Sequence, residues 1–372
     1  MRQWSVLCSH DSSHAGKLGS MRVLSVVGAR PQFVKLAPIA HAIANKAEHI
    51  VVHTGQHYDE LMSDVFFRDL GIPAPDVNLA VGSGKHGEQT GAMLSGLEPV
   101  FERFAPDWVL VYGDTNSTLA AAIAAVKLHQ PLAHLEAGLR SFNRRMPEEH
   151  NRVLTDHAAD LCLAPTQLAM DHLATEGLAT RSVLVGDVMT DVLYTTRDGV
   201  SRSGLVLPDG VEDGRYYIST LHRPDNTDDP ARLSEILNQL AGLDFPVLLL
   251  THPRLAPLVS AHGISLDQGA VRAVAPLAYP ELVSAVQHSA GVITDSGGLQ
   301  KEAFLLRVPC TTIRPETEWE ETVTLGWNVL VSDDLSRLRS TVERAAPAST
   351  EEAPYGDGHA AERVVTELLS RG

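Results

Sequence analysis

From Met21 onward the chain alternates short, nearly all-apolar runs with segments whose apolar residues recur at three- and four-residue spacing, separated by Gly- or Asp-containing turns. Few architectures accept that alternation. A short strand without polar residues is covered on both faces, and helices packed on both sides of a parallel sheet provide the cover. Strands of a first sheet are predicted at Val23–Val27, Ile50–Thr54, Trp108–Tyr112, Leu132–Leu135 and Leu161–Ala164. A polar, Gly- and Asp-rich interval at Asp198–Arg215 follows and reads as a linker. Beyond it, Tyr216–Thr220, Val247–Thr251, Val271–Ala273, Gly291–Thr294 and Cys310–Ile313 predict a second sheet. The expected class is α/β, with two doubly wound, Rossmann-like domains over 21–197 and 198–372 and a final helix able to pack back on the first. In open sheets of this kind ligands bind beyond the carboxyl ends of the strands, so two such halves are expected to face one cleft.

The 372 residues, 44% of them hydrophobic, suffice for two cores. Residues 1–20, polar and rich in Ser, His and Gly, read as a leader or extension outside the fold. His10 and His14 lie there without further ligands at zinc spacing.

With 30 basic against 46 acidic residues, a net charge of −16, a general affinity for nucleic acid or anionic lipid is not expected. Any phosphate must therefore be met locally. Cys8, Cys162 and Cys310 are widely separated and form no CxxC pair, which argues against a disulfide framework or a thiolate zinc site. No apolar stretch reaches the roughly 18 residues of a membrane span. The expectation is a cytoplasmic protein with no metal, no cofactor, and neither nucleic acid nor membrane as partner.

The residues able to do chemistry follow strands. Gly28-Ala29-Arg30-Pro31-Gln32 closes the first run, with Arg30 and Lys35 near a helix start suited to phosphate; the same pattern also fits an ordinary strand–helix turn. It is neither GxGxxG nor a Walker loop. Thr54-Gly55-Gln56-His57 is a polar cluster after the second run. Asp114 follows Trp108–Tyr112, a position that also suits a helix cap, but Glu136 also ends a strand, and Glu148 and Glu149 open a helix behind Pro147. Favourable pairing with the helix dipole accounts for one of those two glutamates. Several carboxylates in one cleft are the usual basis for a general acid and a general base. In the second half, His222 and Arg223 follow a strand and suit a diphosphate. Asp295-Ser296-Gly297-Gly298 then leads into a helix whose backbone N–H groups make a phosphate cradle, with Glu302 one turn in and able to accept from ribose hydroxyls.

Taken in order, GARPQFVKLAPI, TGQHY, GDTNST, HLEAGLRS, PEEHNRVLTDH, HRPDN and DSGGLQKEA resemble the non-hydrolysing UDP-N-acetylglucosamine 2-epimerases from about Met21 to Val331. The resemblance implies a GT-B fold, a homodimer, a UDP-sugar substrate and interconversion of UDP-N-acetylglucosamine with UDP-N-acetylmannosamine by elimination and re-addition of UDP. It further implies acid–base roles for Asp114, Glu136 and Glu148 and a catalytic-site role for His222. UDP contacts fall on Arg30, Lys35, Ser296, Gly297, Gly298 and Glu302, and an allosteric sugar nucleotide on Gln56 and His57. The short Glu136–Glu148 interval and the form HRPDN depart from the family pattern, and the segment TEWEETVTLGWNVLV resembles a subgroup that includes epimerases of UDP-2,3-diacetamido-glucuronic acid as well as others acting on UDP-N-acetylglucosamine. Rival readings are a GT-B glycosyltransferase, a hydrolysing epimerase and a catalytically silent nucleotide-sugar sensor.

Overall fold

The computed structural model describes residues 21–56, 72–200, 211–251 and 255–372. Seven parallel strands form the first sheet in the order β3-β2-β1-β4-β5-β6-β7. They are β1 (Arg22–Val27), β2 (Glu48–His53), β3 (Val77–Asn78), β4 (Trp108–Tyr112), β5 (Leu132–Leu135), β6 (Leu161–Ala164) and β7 (Ser182–Leu184). Six parallel strands form the second, ordered β10-β9-β8-β11-β12-β13. These are β8 (Tyr217–Thr220), β9 (Val247–Leu250), β10 (Val271–Val274), β11 (Gly291–Thr294), β12 (Cys310–Thr312) and β13 (Asn328–Leu330). The sequence reading missed β3, β7 and β13. Each is an edge strand of two or three residues, too short for a periodicity to register.

Both sheets have the doubly wound order, reversing direction between β1 and β4 and again between β8 and β11. Every residue of β4 is buried, as a strand covered on both faces requires. One core lies on each face of each sheet. The two sheets with their helices make the GT-B arrangement. The helix Val188–Val200 runs into the interval read as a linker, and 201–210 lie outside the described residues.

The last helix, Ala360–Arg371, places Ala361, Val364, Val365 and Leu368 in a core cluster of the first sheet and packs against the helix Arg30–Ile43. The last helix thus packs on the first half. No helix among the described residues is long and apolar enough to cross a membrane.

Candidate active site

At the switch point of the first sheet, the turns after β1 and β4 are locked together. Gln32 accepts from the N–H groups of Gly28 and Ala29 at 2.8 and 3.0 Å and donates to the Tyr112 carbonyl at 2.8 Å. A Cβ at Gly28 would collide with the hydroxyls of Ser117 and Thr54, so only glycine permits this approach. Gln56 accepts from Ser117 N and Oγ at 3.1 and 2.7 Å, and so is bonded to the first turn of the helix Asn116–Lys127. His57 lies outside the described residues, as does the Arg30 side chain.

Asp114 is not the cap of that helix. Thr115 holds the position, its hydroxyl accepting from Thr118 N, which leaves the Asp114 carboxylate to pair with Arg152. Glu136, one strand over, pairs with Lys35. The two acids, expected to face one cleft, do line one cavity, each paired with its own cation. Lys35, expected at the diphosphate, lines the same cavity and is ion-paired with Glu136. Burial pulls the Lys35 ammonium down, but Glu136 and then Asp114 hold it above its ordinary value. Arg152 is likewise held up by Asp114 against its own desolvation. The Lys35–Glu136 pair packs on Gly113, where an added Cβ would lie 3.2 Å from Glu136 Oε2 and 3.3 Å from Lys35 Nζ.

The two glutamates behind Pro147 separate cleanly. Glu149 is buried and accepts from Ser141 N and Oγ at 2.9 Å each, from Phe142 N at 3.0 Å and from Arg152 at 3.0 Å. It holds the 141–142 loop. Burial raises its carboxyl, but the Ser141 bonds and then Phe142 and Arg152 bring it below the usual range. Glu148 is exposed.

In the second half, the buried carboxylate of Asp295 organises the turn after β8. It accepts from His222 N at 3.1 Å, Arg223 N at 3.0 Å and Asn226 Nδ2 at 3.2 Å, with His222 Nδ1 at 2.9 Å. Although burial pushes Asp295 up, the His222 bond and the backbone bond from Arg223 hold it below the ordinary carboxylate range. Ser296 sits at the N-cap of the helix Gly297–Leu305 without a side-chain cap bond. Its first turn carries N–H groups with no intrahelical partner, and open space surrounds the position of a Gly298 Cβ. Glu302 accepts from the Tyr279 hydroxyl at 3.2 Å, and desolvation raises its carboxyl to about 7.

A cavity of about 250 Å³ lies between the halves, lined by Lys35, Asp114, Glu136 and Arg152 on one side and by Gly297, Gly298 and Glu318 on the other. Arg314 grips Glu318 through two bonds of 2.9 Å. Glu148, His222, Ser296 and Glu302 are not part of the cavity wall.

A family model described as UDP-N-acetylglucosamine 2-epimerase matches residues 41–369. The chain belongs to the UDP-N-acetylglucosamine 2-epimerase family. Among its relatives, the UDP-2,3-diacetamido-2,3-dideoxy-D-glucuronate 2-epimerase of Pseudomonas aeruginosa is 45% identical, over 94% of this chain and 99% of that protein. The UDP-N-acetylglucosamine 2-epimerase of Methanocaldococcus jannaschii is 37% identical with the same coverage. A crystal structure of M. jannaschii UDP-GlcNAc 2-epimerase in complex with UDP-GlcNAc and UDP superposes with a TM-score of 0.79 at 36% identity, covering 95% of this chain and all of that one. A glycosyltransferase, SnogD of Streptomyces nogalater, has a TM-score of 0.53 at 16% identity; that likeness is one of fold.

For this epimerase-family chain, the sequence reading had not identified Arg152 or Asp295 as partners of the candidate groups. Arg152 was nonetheless within reach: three residues past Glu149 on a helix, it shares a face with it. Asp295 offered no such signal, because its partners lie some seventy residues away.

Proposed function

We propose that the protein interconverts UDP-N-acetylglucosamine and UDP-N-acetylmannosamine by eliminating UDP and adding it back. The observation carrying this reading is the opposition, across one cavity, of the ion-paired carboxylates Asp114 and Glu136 to the Gly297-Gly298 turn.

C2 of the sugar is not adjacent to a carbonyl, so a carboxylate alone cannot remove its proton at a useful rate. The C1–O bond must break as the proton leaves. A carboxylate takes the C2 proton, the C–H electron pair forms the C1–C2 double bond of a 2-acetamidoglucal, and UDP departs with the C1–O pair. UDP then returns to C1 while a proton adds to the opposite face of C2. Asp114 and Glu136 suit the proton transfers. The N–H groups at Ser296-Gly297-Gly298, with His222 and Arg30, suit the charge gathering on UDP. Glu148 is assigned a share of the acid–base work on its motif match, and Glu302 the ribose.

A second reading is favoured by the 45% identity to the diacetamido-glucuronate enzyme: the same chemistry on UDP-2,3-diacetamido-glucuronate. A homodimer in the cytoplasm belongs to the same proposal on the family resemblance, and sedimentation equilibrium tests the dimer. The deciding experiment incubates purified protein with each sugar nucleotide and follows the manno anomeric proton by NMR while scoring free UDP. An inverted sugar with UDP retained is expected. Free UDP accumulating with N-acetylmannosamine would mark a hydrolysing enzyme instead.

A further inference from the structure

Directly behind the candidate acids lie two fully buried groups that the proposed chemistry leaves unused, His134 on β5 and Asp156 on the helix Pro147–Ala158. His134 Nδ1 is 2.6 Å from Asp156 Oδ1, and Nε2 is 2.7 Å from the Gly113 carbonyl. A carbonyl oxygen only accepts, so Nε2 bears a proton. The other Asp156 oxygen accepts from Gly138 N at 3.0 Å and lies 2.7 Å from the Arg140 guanidinium. A carboxyl met by an N–H group and a guanidinium is held ionised. It therefore accepts from Nδ1 as well, and the ring carries protons on both nitrogens. Burial by itself pushes the Asp156 carboxyl up, yet His134 and then Arg140 bring it below the usual range.

Through its own bond to Gly138 N and, by way of His134, through the bond to the Gly113 carbonyl, this one carboxylate ties together the turns that carry both candidate acids. Gly113 immediately precedes Asp114, and Gly138 is the second residue after Glu136. Both turns have left-handed backbone, with φ of 61° at Gly113, 84° at Gly138 and 74° at Glu136 itself. For a non-glycine residue that conformation costs about 1–3 kcal/mol and persists only where the surroundings impose it.

We infer that His134 and Asp156 are positioning residues for the epimerisation, an imidazolium–carboxylate pair that sets the Asp114 and Glu136 turns relative to one another; the inference rests on the reaction proposed above.

Neutron diffraction of the unmodified full chain should show deuterium on both ring nitrogens of His134; density on only one overturns the pair. In Asp156→Asn, kcat should fall about a hundredfold, the scale for reacting groups displaced by about 1 Å. UDP affinity measured by calorimetry should stay within about threefold, because the UDP cradle lies in the other half. A kcat within about threefold of the unmodified enzyme, or an equal loss of UDP affinity, overturns the positioning role. Should Asp156→Asn fail to melt cooperatively, His134→Gln and the neutron density carry the same test. If the unmodified enzyme turns over neither sugar nucleotide, the proposed function fails and the neutron density alone decides the pair.

Discussion

Lys301, in the helix that begins at the Gly297-Gly298 turn, is ion-paired with Asp187, in the loop after the last strand of the first half, and both are buried. The ammonium also lies 4.1 Å from the centre of the Trp319 ring, which lines the cavity. A buried charge deprived of its partner costs about 3–5 kcal/mol. Lys301→Met should therefore lower the unfolding free energy by that amount, and adding Asp187→Asn should restore much of it. Denaturant melts of the single and double variants measure this; a double variant no more stable than the single would remove the pair as the cause.

Asp114→Asn and Glu136→Gln should each lower turnover by at least about a hundredfold while UDP binding is retained. The glutamates behind Pro147 should part company. Glu149→Gln should destabilise the fold by about 1–3 kcal/mol, since the bonds from Ser141 and Phe142 to this buried carboxylate lose their charged acceptor. Glu148 is exposed, so Glu148→Gln should cost turnover and leave the melting temperature unchanged. Full activity in Glu148→Gln would withdraw its acid–base assignment.

His222→Ala should also lower turnover by about a hundredfold, through loss of a donor to the departing diphosphate. Asp295 remains bonded to Arg223 N and Asn226 in that variant, so circular dichroism and melting should show a small change. Near-normal turnover would place charge stabilisation on Arg30 and the backbone turn.

Glu302 titrates at about 7 in the folded chain against an ordinary value of 4.5. Between those values the folded state holds a proton that the unfolded chain has released. Stability should thus decline as pH rises from 4.5 to about 7, and Glu302→Gln should abolish that part of the slope. Ribose hydroxyls donate best to the ionised carboxylate, so UDP affinity should rise through pH 7 in the unmodified enzyme more steeply than in Glu302→Gln. Parallel affinity profiles would remove Glu302 from the ribose site.

In deuterium oxide the epimerised product should carry deuterium at C2, and oxygen-18 placed at the anomeric bridge should appear in non-bridging phosphate positions, both read by NMR. A route through oxidation at C3 keeps the C1–O bond intact, and would give deuterium uptake without oxygen scrambling.

Much of this was legible in the sequence because the information is local. A strand buried on both faces is apolar at most positions, so β4, β5, β6 and β11 were delimited to the residue, whereas the two- and three-residue edge strands left no pattern to read. The turns bearing Asp114, Glu136, His222 and Gly297 were found for a similar reason: in parallel sheets functional groups follow strand ends, and chain order alone reveals those.

The sequence by itself thus determined the class of fold, the succession of polar strand ends and the residue types offered to a ligand. Only the tertiary structure decided which charge faces which. Lys35 read as a cation near a helix start, and the fold pairs it with Glu136, 101 residues away. Glu148 and Glu149 are the same residue type at adjacent positions, yet the helix turns one into the 141–142 loop and leaves the other exposed. Asp156 and Asp187 read as ordinary acids, and the fold makes each the buried partner of a distant cation. The physical reason is common to the buried ones: a charge taken out of water must find an opposite charge or donors at hydrogen-bond distance, and for Lys35 and Asp187 those partners come from other crossovers, 101 and 114 residues away, at separations no local pattern encodes.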